Sequence, residues 1–187
     1  MSIVSVHTDE LFLAIPSLRA GDRVLLSGTV YTARDAAHKR LVELLRLNEK
    51  LPFALRGACI YYAGPTPAPK GLAVGSCGPT TSGRMDPYAP VLLEQGVAAM
   101  IGKGDRSDEV VEAIVKHSAV YFCAIGGAGA LAAKHITGCE EIAFHDLGCE
   151  SIKKLVFKAF PVIVGIDTNG GSLFISNKES EETQWNC

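Results

Sequence analysis

Between residues 23 and 31 the chain reads RVLLSGTVY, an apolar, β-branched run that predicts a strand. The period then changes. In TARDAAHKRLVELLRL, residues 32–47, the apolar positions Ala37, Leu41, Leu44 and Leu45 recur at helical spacing. This predicts a helix with one buried face and Thr32 as its N-cap. The same alternation continues downstream. Strands are predicted at 58–63 (ACIYYA), 97–101 (VAAMI), 120–125 and 160–167 (FPVIVGID), and helices at about 87–95, 108–117 and 130–135. Residues 8–20 read as a short helix or turn, 64–69 as a loop and 169–171 as a turn. Residues 176–187 are polar and read as a loose tail. Strands alternating with helices predict an α/β domain over residues 1–175, with mixed sheets and flanking helices. Such domains place their ligands at strand ends.

Composition narrows the function classes. A chain of 187 residues, 48% hydrophobic and 20% charged, reads as one globular domain that needs no covalent staples. A net charge of -2 supplies no basic field for nucleic acid. No apolar run approaches the roughly 20 residues that span a bilayer, and MSIVSVHTDE lacks the basic and apolar regions of a signal peptide. A cytoplasmic protein is the expectation. The six cysteines include no C-x-x-C pair and no zinc or iron–sulfur spacing, so no metal or cofactor is expected on this chain. Cys59 and Cys123 lie in apolar runs and are expected to be buried, whereas Cys77 abuts a glycine-rich loop and is a candidate for oxidation sensitivity.

Four loops concentrate polar chemistry. The densest is GPTTSGRMD, residues 78–86, with Gly78, Thr80, Thr81, Arg84 and Asp86. Its glycines permit close backbone approach to a ligand, and its guanidinium can grip a carboxylate or phosphate at two points. Read blandly, it is a glycine-rich turn with a solvated arginine. At 32–38, Arg34 falls in the first turn of the predicted helix, against the dipole preference, with Asp35 beside it and His38 one turn on. A capped helix with surface charges is the alternative. In GKGDRS, residues 102–107, Lys103 between two glycines can reach a shared site or lie in a solvated turn. The cluster Gly126-Gly127-Ala128-Gly129 lacks the G-x-G-x-x-G spacing and reads as tight strand-to-helix packing rather than a dinucleotide site. Arg34, Arg84 and Lys103 thus come from three strand-end loops, and a dicarboxylate would use all three.

Four segments carry a family resemblance. GPTTSGRMD at 78–86, SGTVYTARDAAHKRL at 27–41, IGKGDRS at 101–107 and FPVIVGIDTNGGSLF at 160–174 resemble, in order, the C-terminal region of class I (iron–sulfur) fumarases. L(+)-tartrate dehydratase β subunits belong to the same group. The resemblance implies a swivelling β/β/α domain. It also implies a β subunit of a two-component hydro-lyase that hydrates fumarate reversibly to L-malate. The [4Fe-4S] cluster would lie on a partner α subunit, in a hetero-oligomer that is active only when assembled. It implies Thr80 as the catalytic threonine and Arg34, Arg84 and Lys103 as substrate-carboxylate contacts. Asp35, His38, Gly78, Thr81 and Asp86 would support them, the two aspartates by orienting arginines or capping helices. Ser82 stands where relatives often have alanine, a departure expected to leave the chemistry unchanged. Two alternatives stay open: tartrate dehydration, and a dicarboxylate-binding or assembly module without chemistry.

Overall fold

A computed structural model describes residues 3–174; the segment 176–187 read as a tail, Cys187 included, lies outside the described residues. The elements in chain order are β1 (Ile3–His7), α1 (Leu11–Ala14), β2 (Arg23–Thr32), α2 (Asp35–Arg46), β3 (Cys59–Tyr61), α3 (Ala89–Glu94), β4 (Ala99–Gly102), α4 (Asp108–Lys116), β5 (Val120–Cys123), α5 (Gly129–Ala133), β6 (Ile136–Ala143) and β7 (Ile152–Ile166). Short 3-10 turns occupy Ser82–Met85 and His145–Glu150.

One seven-stranded sheet runs in the order β1-β2-β3-β4-β5-β7-β6, and β2 also pairs with β7. Strands β2, β3, β4, β5 and β7 therefore close a ring. Strands β1 to β5 pair in parallel, and β7 runs antiparallel to β2, β5 and β6. Closure depends on the length of β7, 15 residues. It follows β2 from Tyr31↔Lys154 to Arg23↔Ile163, and its C-terminal end goes on to pair with β5.

Alternation along the strands separates two cores. Val24, Leu26, Val30, Tyr61, Ile101, Phe122, Phe157, Phe160 and Val162 form one cluster, in which Phe157 and Phe160 stack with ring centroids 4.2 Å apart. Ile60, Tyr62, Met100 and Tyr121 point the other way and pack against Ala37 and Leu41 of α2, Leu92 and Leu93 of α3, and Val110 and Ile114 of α4. Among the described residues no helix is long and apolar enough to cross a membrane.

The strong sequence patterns form the predicted elements, with ends moved by one to three residues. Three strands were not legible at full length. Strand β6 is largely exposed and carries Glu140 and Glu141, so no apolar alternation marks it. Strand β7 begins at Ile152, not 160, because its first half contains Lys153, Lys154 and Lys158. Strand β1 buries Val6 alone among its five residues. Each takes its identity from a pairing partner rather than from its own pattern.

Candidate functional site

Because β2, β3 and β4 are parallel, their C-terminal ends share one edge of the sheet, and the polar loops leave from that edge. The run 78–83 lies along it. The Thr80 amide donates to the Tyr62 carbonyl at 2.6 Å, Thr81 forms a parallel bridge with Lys103, and the Ser82 amide donates to the Lys103 carbonyl at 2.9 Å. Thr80 and Lys103, 23 positions apart by number, are thereby held on adjacent backbone. Gly102 is needed here: a Cβ on it would lie 1.9 Å from the Ser82 hydroxyl.

The two arginines meet at Asp35. Arg34 occupies the N-cap position of α2 in extended conformation, and its side chain runs across Gly64, where a Cβ would come 3.0 Å from Nη1. Asp35 accepts from Arg84 Nε at 2.7 Å and lies 3.9 Å from Arg34 Nε. Glu150 flanks Arg34 on its other side, 3.7 Å from Nη2.

Glu150 also corrects the predicted cap. Its Oε2 accepts from the Ala36 amide at 3.0 Å, satisfying a first-turn donor of α2 and placing negative charge at the helix's positive end. Thr32 does not cap. It is the buried last residue of β2, where its Oγ1 accepts from the Lys153 amide at 2.9 Å and donates to the Ser151 carbonyl at 3.3 Å. The chain needs residues 33 and 34 to leave the sheet, so the threonine is spent on the strand.

Beneath these side chains lies a buried polar layer. Arg106 donates from Nε to Asp86 Oδ1 at 2.7 Å, and Asp86 Oδ2 accepts from the Ser107 amide at 2.7 Å. The guanidinium lies over the rings of Tyr62 and Tyr121, 5.4 and 5.0 Å from their centroids. Burial works against its charge, but Tyr62 and Asp86 outweigh that and hold its pKa above the ordinary arginine value. Tyr121 Oη donates to the Gly104 carbonyl at 2.8 Å, so the Ser82 hydroxyl, 2.9 Å away, donates to Tyr121 while accepting from the Lys103 amide at 3.0 Å. His38 is buried edge-on to Tyr62, with Nδ1 3.0 Å from the Arg34 carbonyl. Burial pulls its pKa down to about 4, so the ring is neutral at pH 7.

Five of the six buried side-chain polar atoms without a partner among the described residues belong to Arg34, Asp35, His38, Tyr62 and Arg106. Unsatisfied buried groups are rare in folded proteins. Most of these groups face one another, Arg34 Nε opposite Asp35 Oδ2 at 3.9 Å and Arg106 beside Tyr62, so this edge gathers buried polar groups. Thr81, Arg84 and Lys103 are exposed, so the site opens outward. A separate groove of about 420 Å³ is lined by Pro65, Cys139, Glu141, Cys149 and Lys153. Its charged groups already engage each other: Lys153 lies 3.3 Å from Glu141, which accepts from Ser151 at 2.6 Å.

The chain matches a family described as Fumarase C-terminus over residues 2–177. It belongs to that family. It is 38% identical over 174 residues to "Fumarate hydratase class I, anaerobic" of Escherichia coli (strain K12), an alignment covering 91% of this chain and 32% of that protein. It is 40% identical over 156 residues to "Fumarate hydratase 2" of Leishmania major, covering 82% of this chain and 28% of that protein. It is 37% identical over 170 residues to "L(+)-tartrate dehydratase subunit beta" of Escherichia coli (strain K12), covering 88% of this chain and 83% of that protein. The chain thus spans less than a third of the length of these two fumarate hydratases.

Other expectations change within this Fumarase C-terminus fold. Cys77 is fully buried, and its thiol is pushed up to about 12 by desolvation. Its amide donates to the Gly129 carbonyl and its carbonyl accepts from Tyr61 Oη. That is an inert core thiol, unlike the exposed low-pKa cysteines that oxidise readily. Cys123 is half-buried rather than buried. Gly78 packs against Gly129, so that glycine cluster supports the backbone of the site. Ser82 is a buried junction between the Lys103 amide and Tyr121. Among the described residues no group of three or more His, Cys, Asp or Glu side chains is placed to hold a metal ion. Sequence reasoning missed Arg106, Glu150, Tyr62 and Tyr121. Arg106 stood inside a quoted motif, but a loop arginine reads as solvated until a fold buries it.

Proposed function

We propose that this chain is the β subunit of a two-component hydro-lyase that interconverts fumarate and L-malate, with its active site completed by an α subunit. The observation that supports the reading is the placement of Arg34, Arg84, Thr80 and Lys103 in loops that leave one sheet edge, where buried polar groups also gather. The family membership and the relatives named fumarate hydratase support the reaction class. The relative named a β subunit, covered over 83% of its length, supports the two-chain arrangement.

The chemistry follows from charge. Removing a proton from C3 of malate builds negative charge onto the adjacent carboxylate, and hydroxide leaves C2 to give fumarate and water. Arg34, Arg84 and Lys103 would bind the two carboxylates and stabilise that developing charge. Asp35 orients Arg84 through the 2.7 Å bond and holds Arg34 nearby, which limits the reorganisation needed when substrate arrives. Thr80 would move the C3 proton; a hydroxyl is a weak base, so it requires a carboxylate neighbour, which we assign to the α subunit. A [4Fe-4S] cluster held by the α subunit would supply the Lewis acid for the leaving hydroxyl.

Anaerobic coexpression with the α subunit, followed by the rate of fumarate loss, tests this reading. Turnover by the pair and by neither chain alone is expected. An assembled pair with an intact cluster and no turnover of fumarate or malate would overturn it. L(+)-tartrate is the second substrate to test, because one relative bears its name. Competition between tartrate and fumarate in that assay ranks the two.

A further inference from the structure

Two loops supply the proposed chemistry from different strands: residues 78–86 follow β3 and carry Thr80 and Arg84, and residues 103–107 follow β4 and carry Lys103. Nothing in the covalent chain sets the distance between them. We propose that Arg106 is a positioning residue that, beyond the Thr81–Lys103 backbone bridge, locks these two loops together and so fixes Arg84 and Thr80 relative to Lys103. The proposal rests on the hydro-lyase reading for its kinetic consequence, but not for the lock itself.

The lock has two bolts. In the first, Arg106 on one loop and Asp86 at the end of the other form a 2.7 Å ion pair, and the second Asp86 oxygen takes the Ser107 amide at 2.7 Å. One carboxylate therefore grips the side chain and the backbone of the facing loop at once. In the second, the Ser82 hydroxyl takes the Lys103 amide at 3.0 Å and donates to Tyr121, which itself holds the Gly104 carbonyl. Arg106 joins the bolts, because its guanidinium is stacked on the Tyr121 ring that anchors the second.

The geometry argues against a purely space-filling role. The Arg106 side chain is completely buried, and a hydrocarbon of similar volume would fill the gap between Tyr62 and Tyr121 without the difficulty of desolvating a charge. What a hydrocarbon cannot do is reach Asp86 with a directed donor. Lysine would keep the charge and lose the planar fork that fits both the carboxylate and the tyrosine faces. Arg106 is buried whereas Arg84 and Lys103 are exposed, so its action on substrate is through those residues.

The test uses the full chain, with Arg106→Lys and Asp86→Asn as independent variants in case one folds poorly. Amide hydrogen exchange on the free chain is the first arm. Faster exchange confined to residues 78–86 and 102–107, with β2 and β7 unchanged, is expected; unchanged exchange in those loops, or a rise spread evenly over the sheet, overturns the lock. The second arm is fumarate turnover by the α–β pair in a double-mutant cycle with Lys103→Ala. Arg106→Lys is expected to lower kcat about 100-fold in the wild-type background and only about 2-fold in the Lys103→Ala background, since it acts through the spacing to Lys103. Equal factors in both backgrounds, or wild-type kcat in Arg106→Lys, overturns the positioning role. If the wild-type pair does not turn over fumarate, the fumarate reading fails while the exchange arm still decides the lock.

Discussion

Two arginines in this molecule make the same bond and lead different lives. Arg84 meets Asp35 and Arg106 meets Asp86, each through Nε and Oδ1 at 2.7 Å. The Arg84 side chain is 51% exposed and Arg106 is 0% exposed. Water screens the first pair, so a ligand carboxylate can compete for its guanidinium at little cost. In the second pair Arg106 has no solvent to fall back on, and without Asp86 it would be a buried charge. Identical geometry thus leaves one guanidinium open to solvent and seals the other in the core, and burial makes the difference.

The sharpest way to break that contrast is to truncate each arginine. Arg106→Ala should destabilise the fold by about 3–5 kcal/mol in urea unfolding, because Asp86 is stranded. Arg84→Ala should change stability by no more than about 1 kcal/mol. Similar losses for the two would mean that burial does not separate them. In the proposed α–β pair Arg84→Ala should nonetheless lower kcat/KM by about 10²–10³, or about 2.7–4 kcal/mol of transition-state stabilisation.

Next in size is a pH effect from the buried layer. His38 titrates near 4 when folded, against 6.5 for a free histidine. The unfolded chain therefore binds this proton first. The contribution is complete above pH 6.5 and is lost as pH falls toward 4, by about 3 kcal/mol in total. Urea midpoints between pH 4 and 7 should follow that slope, and His38→Asn, which can keep a hydrogen bond to the Arg34 carbonyl, should flatten it. A slope unchanged in the variant would assign the pH dependence to other groups. The smallest expected effect is that of Ser82→Ala, about 1 kcal/mol for its buried hydroxyl network, read from the same unfolding curves. No loss of stability would show that Tyr121 and the Lys103 amide find other partners.

Legibility followed the same divide. The exposed, chemically dense motifs announced themselves: Arg34, Arg84 and Lys103 stood in glycine-rich or helix-opening loops where such charges need a reason. The supporting layer did not. Arg106 looked like any loop arginine, Glu150 lay 115 positions from Asp35 in sequence, and Ser82 looked like a neutral replacement. Thr32 was misread for the related reason that a threonine before a helical pattern resembles a cap whether or not the strand has already claimed it. Among the strands, β2 showed its apolar pattern, whereas charged residues interrupt β6 and the first half of β7, which become strands by pairing, β6 with β7 and β7 also with β2.

By itself, the sequence determined the alternation of strands and helices, the family and the three cations in the loops of this edge. Those follow from local pattern and residue type, which survive without knowledge of neighbours. The tertiary structure alone decided the closed ring, the cap on α2, the inert state of Cys77 and the division of labour between Arg84 and Arg106. Each of these depends on burial and on partners distant in the chain, and neither is a property of any short stretch of residues.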